Sequence, residues 1–117
     1  MSKLMPTAIK NEVLAALADA ARGQAAAPFL TAYELLDLLP VARRDQLIAE
    51  RGMPGEGSGS TVGAARIVAT AGAMLVRGGA ANIDFRPAGL PYTVAGQTVH
   101  ASGKHAAFQY AHGGAQS

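Results

Sequence analysis

Cysteine and tryptophan are both missing from this 117-residue sequence, and phenylalanine and tyrosine number three each. Without cysteine, disulfides and thiolate chemistry are excluded, which fits a reducing cytoplasm. Half the residues are apolar, but alanine supplies much of that half. Burial per residue is therefore low, and the stability expected is marginal or shared with a partner subunit. The start, MSKLMPTAIKNEV, lacks the continuous apolar stretch of a secretory signal. The longest apolar tract, 61–76, is broken by Arg66 and falls short of a membrane span, so a buried helix is expected there and no membrane partner.

Charge is scarce and unevenly placed. Up to Gly57 there are six basic and seven acidic residues, net −1; beyond it there are four and one, net +3. A basic second half points mildly toward an anionic partner. The length suits a single domain, 1–117. Its parts are expected to be a helical region over 7–77, a Gly/Ser-rich linker over 52–60 and a β-hairpin region over 80–111. No repeat of solenoid period is present.

Helical spacing of Ile9, Val13, Ala16, Leu17 and Ala20 predicts a first amphipathic helix closed by Gly23. In LTAYELL, Thr31 and Glu34 form a capping box, with Leu30 and Leu35 as a hydrophobic staple, so a second helix starts at Ala32. Pro40 stops it or opens the next. VARRDQLIAERG reads as a third helix with Leu47 and Ile48 inward and Gly52 as terminator. Arg43 and Arg44 near its start oppose the helix dipole, as plain surface charge or for an anionic contact. Ser60 can cap a fourth helix running from Thr61 toward Arg77 and ending at Gly78 and Gly79. Its polar residues Arg66, Thr70 and Arg77 fall within about 40° of one another. Ala65, Ala69 and Gly72 form a small-residue face suited to close approach of another helix. ANIDFRP, PYTVAG, QTVHAS and AAFQYAH then read as strands of a small antiparallel sheet, with a turn near 95–97. Ile83 and Phe85 alternate with Asp84 and Arg86, predicting one buried and one wet face. The fold class expected is α+β: three to four helices followed by a small antiparallel sheet.

Reaction centres are hard to assemble from these residues. RGMPGEGSGST, 51–61, is the densest glycine cluster, and Gly52 and Gly57 have the spacing of a phosphate-binding loop. Ser58 and Gly59, however, stand where lysine and Ser/Thr are needed, and the preceding segment is helical. The dinucleotide fingerprint lacks its βαβ unit, and the serine nucleophile elbow is absent. A linker is the better reading, although free N–H groups at Thr61 and Val62 could meet a polymer phosphate. His100, His105 and His112 have neither cysteines nor nearby carboxylates for zinc and read as surface or tail residues. A Ser102–His100–Asp84 triad lacks any orienting context. No enzymatic function, metal or cofactor is expected.

TAYELLDLLP, then GSTVGAARIVATAGAML, then the strand ANIDF, resembles the second helix, recognition helix and first wing strand of bacterial winged helix-turn-helix regulators. The resemblance spans Thr31 to about Tyr110, with about twenty residues and an extra helix between the first two segments. It implies a winged-helix-like, DNA-binding, cytoplasmic protein, in which Ser60 and Thr61 contact phosphate. Arg66 and Thr70 would reach the major groove beside Arg77, and Arg86 or Lys104 would lie on the wing. Two functions are thus expected: a small non-enzymatic DNA-binding accessory or regulatory protein, acting as a homodimer, or a protein-interaction module. The latter would be a mobile-element-encoded adaptor or inhibitor using small-residue faces or an exposed sheet edge.

Overall fold

The computed structural model describes residues 4–52, 63–87, 92–99 and 104–111. Helix α1, Pro6–Ala21, begins with proline in its first turn, where a missing N–H costs no helical hydrogen bond. It buries Ile9, Val13, Ala16 and Leu17. Past its C-cap Arg22, Gly23 adopts φ +76°, a left-handed conformation that glycine reaches without strain. Strand β1, Leu30–Thr31, leads directly into α2, Ala32–Leu38. The capping box forms as the sequence requires: the Thr31 hydroxyl accepts from the Glu34 N–H, and the Glu34 carboxylate accepts from the Thr31 N–H at 2.9 Å. Pro40 then serves as N-cap of α3, Val41–Arg51, which Gly52 ends at φ +94°.

Helix α4, Gly63–Arg77, is the spine of the molecule. Ala64, Ala65, Ile67, Val68, Ala71, Gly72 and Leu75 are buried, and α1, α2, α3 and the sheet all pack on it. The expected cap Ser60 and first residue Thr61 lie outside the described residues. Gly63 has φ +68°, so the regular right-handed helix is entered at that glycine. Just beyond it the Ala64 N–H donates to the Gly52 carbonyl at 2.9 Å, tying the start of α4 to the end of α3. The stripe of small residues does permit a close approach, but at Gly72 the neighbour is an aromatic ring. A Cβ built there would lie 2.8 Å from ring atoms of Phe108.

Strands β2, Ala81–Pro87, and β5, Lys104–Tyr110, pair antiparallel along their whole length. β1 pairs with the other side of β5, giving the sheet order β1-β5-β2. β3, Tyr92–Val94, and β4, Gln97–Val99, form a separate hairpin across Ala95 and Gly96, with φ of +52° and +80°. Two positive φ values in a two-residue loop are those of the turn that suits strand twist. The fold is thus α+β, helices followed by small antiparallel sheets. The short β1 is invisible in the sequence because Leu30 and Thr31 serve equally as staple and cap. No helix of the described residues is long and apolar enough to cross a membrane.

The alternation in β2 does not produce the buried face it predicts. Ile83 is 39% exposed and Phe85 62% exposed, and Asn82 and Asp84 are exposed as well. Burial moves instead to the central strand β5, where His105, Ala107 and Phe108 are all nearly inaccessible. A strand with a neighbour on each side and cover on both faces accepts apolar residues at successive positions, whereas an edge strand that outruns its helical cover does not bury its apolar side.

Candidate nucleic-acid interface

The six arginines from Arg22 to Arg77 fall into two groups. Those of the earlier helices are engaged within the protein. Arg22 meets Asp19 at 2.7 Å, and Arg43 meets Glu12 of α1 at 2.8 Å. Arg44 reaches Asp37 at 3.4 Å and Asp45 at 3.1 Å. Arg51 donates to the Leu4 carbonyl at 2.8 Å, beside the Leu4 N–H that donates to Glu50. Arg43 and Arg44, set against the dipole of α3, therefore have carboxylate partners on α1 and α2, and an anionic ligand is not needed to explain them.

Arg66 and Arg77 behave differently. Both are exposed on α4, and neither forms an ion pair with any described residue. Burial of the opposite face of α4 fixes that orientation, since a helix anchored by Ala65, Val68, Ala71, Gly72 and Leu75 must turn Arg66, Thr70 and Arg77 to solvent. Eleven residues at 1.5 Å per residue set the two arginines about 16 Å apart along the axis. Thr70 is also exposed, but its hydroxyl donates to the Arg66 carbonyl at 2.9 Å, one turn back. That bond holds the side chain along the helix. At the N-terminal end of α4 the Ala64 N–H is already taken by Gly52, so this amide is not open to a phosphate.

Ser60 and Thr61 lie outside the described residues. Arg86 pairs in register with His105, and Lys104 with Pro87, so positions 86 and 104 stand on neighbouring rungs where β2 ends and β5 begins. Arg77 precedes the other end of β2, separated from Ala81 by Gly78–Ala80. The fold thus aligns Arg66, Thr70 and Arg77 on one stripe and sets positions 86 and 104 on adjacent rungs at the far end of the ladder.

A second cluster, which the sequence does not announce, lies between α2 and the sheets. The Tyr33 ring stacks on Tyr92 of the hairpin with centroids 4.9 Å apart, and His105 meets it edge-on at 5.3 Å. Expected at the surface, His105 is 3% exposed, because β5 is the central strand and α2 covers that side of it. His100 and His112 lie outside the described residues. The Tyr33 hydroxyl is buried without a hydrogen-bond partner among the described residues. Burial, with a smaller contribution from Tyr92, pushes its pKa up to about 12. Asp37 pins the hairpin beside it, accepting from the Ala95 N–H at 2.9 Å while it pairs with Arg44. Among the described residues there is no group of three or more histidines and carboxylates able to hold a metal ion.

Compared with known proteins, the chain matches no family model, no curated protein and no solved structure.

Proposed function

We propose that this chain is a small, non-enzymatic, cytoplasmic DNA-binding protein of the accessory or regulatory kind, laying the exposed stripe of α4 on duplex DNA. The observation that carries the reading is the pair of exposed arginines on α4, Arg66 and Arg77, which have no carboxylate partner among the described residues, whereas most of the other described arginines are paired. Guanidinium groups held on a rigid helix lose little on binding phosphate, and each phosphate neutralised releases condensed counterions. The chain order supports it too, since α4 runs through a tight turn into the antiparallel pair β2 and β5, as a recognition helix runs into a wing. On this reading Ser60 and Thr61 contact phosphate at the start of α4, Arg66 and Thr70 face the groove, and Lys104 and Arg86 belong to the wing.

With alanine and glycine making up seven of the 15 residues of α4 and aliphatic side chains most of the rest, few side chains can read base edges, so binding is chiefly to the backbone and weakly sequence-dependent. Fluorescence anisotropy of a labelled duplex at two salt concentrations tests this. Affinity should fall with salt, and Arg66→Ala and Arg77→Ala should each lower the steepness of that dependence by about one ion. Affinity indifferent to salt, or unchanged in both variants, would sink the proposal.

A further inference from the structure

The outer edge of β2 combines three features. First, its backbone has no strand beside it among the described residues. The Ala80 carbonyl accepts from the Ala111 N–H, so in this register the even positions of β2 turn their backbone groups to β5, and Ala81, Ile83 and Phe85 turn theirs away from the sheet. β2 is terminal in the order β1-β5-β2, and 82–85 are exposed. Second, the edge carries apolar surface, with Phe85 the most exposed aromatic among the described residues. Third, its sequence is complementary to itself. When two copies of Asn-Ile-Asp-Phe-Arg-Pro run antiparallel about a two-fold axis at Phe85, Phe85 faces Phe85, and Asp84 of each faces Arg86 of the other. The alternative two-fold at Asp84 would set two carboxylates opposite each other, which is unfavourable.

We propose that the β2 edge is a self-association surface whose occupant is β2 of a second copy of this chain, joined antiparallel about Phe85 into one continuous six-stranded sheet. In the isolated chain the Asp84 carboxylate accepts from the Phe85 N–H at 2.8 Å. On pairing, that N–H passes to the Phe85 carbonyl of the second copy, and positions 84 and 86 of the two copies come opposite each other across the seam. The opposed charges at positions 84 and 86 select the register. The inference does not need the DNA reading and alters one part of it: Arg86 takes a protein partner, and Lys104 alone is left to the wing.

Charge exchange with light scattering over a dilution series tests it. Asp84→Arg and Arg86→Asp should each raise the dimer dissociation constant about tenfold or more, and the double variant should return it to near the parental value. These are exposed or edge positions, and circular dichroism checks that each variant keeps its fold. A second measurement does not depend on charge. Residues opposed on a two-fold of this kind have Cα atoms about 5.5 Å apart, within disulfide range. Phe85→Cys, placed in a chain without cysteine, should therefore oxidise to a covalent dimer faster than Asp19→Cys, which is exposed elsewhere. A monomer throughout the series, a dimer unmoved by either charge reversal, or cross-linking no faster than the control overturns the proposal.

Discussion

Helices α3 and α4 both carry arginines, and the fold uses them in opposite ways. α3 is polar, buries Leu47, and fastens itself to its surroundings through charge: Arg43 to α1, Arg44 to α2, Arg51 to the segment before α1. α4 is fastened by apolar contact on most sides and leaves its cations to solvent. A helix secured by packing can offer its charges outward at no cost to the fold, whereas one secured by ion pairs cannot give them up freely. Position within the architecture therefore distinguishes structural arginines from available ones, where composition does not.

The comparison can be broken at its packed side first. Phe108→Ala should cost about 3–5 kcal/mol in urea unfolding, because the ring fills the space against α4 at Gly72. A loss below about 1 kcal/mol would mean that α4 is not the spine. Gly72→Ala comes next. Alanine favours helix over glycine by about 1 kcal/mol. The added Cβ would nevertheless meet the Phe108 ring at 2.8 Å, and a net loss of about 1–3 kcal/mol is expected from overpacking. A stabilised Gly72→Ala protein would show that the ring yields freely.

The charged side gives smaller effects of opposite pattern. Arg43→Ala should lower stability by about 0.2–1 kcal/mol, the range of ion pairs in contact with solvent, and leave DNA affinity unchanged. Arg66→Ala should change stability by less than about 0.5 kcal/mol and weaken DNA binding. If both variants lost affinity equally, the division between the helices would be false. The smallest effect at neutral pH is expected at Tyr33. Its hydroxyl has no described partner, so Tyr33→Phe should unfold at nearly the parental urea concentration near pH 7. The two proteins should separate in alkali. A phenol whose folded pKa is raised to about 12, from an ordinary 10.0, keeps its proton better in the folded chain. Its stabilising effect is complete below pH 10 and is lost as the pH climbs from there through 12. Tyr33→Phe should lack that alkaline loss, which unfolding curves across the interval would reveal.

Local chemistry was the readable part of this sequence. The capping box at Thr31 and Glu34, the glycine stop at Gly23, the terminator at Gly52 and the Ala95–Gly96 turn depend on neighbours within a few residues, and all four form. So does the solvent stripe of α4, because the buried positions around it fix its direction. What stayed hidden depends on strand order. Ile83 and Phe85 alternate like a half-buried strand, yet β2 is the edge. His105 reads as a surface residue, yet β5 is the centre. β1 pairs with a strand almost eighty residues later, and no local pattern in two residues encodes that. The ion pairs of α3 were equally illegible, since Glu12 and Asp37 come from two other helices.

The bond from the Ala64 amide to the Gly52 carbonyl has a practical corollary. It joins the residue that ends α3 to the second residue of α4, so the two helices meet at a fixed point. Loop entropy grows only slowly with length, about 0.6 kcal/mol per doubling. A change in the number of residues between Gly52 and Ala64 is therefore expected to cost little so long as that bond forms.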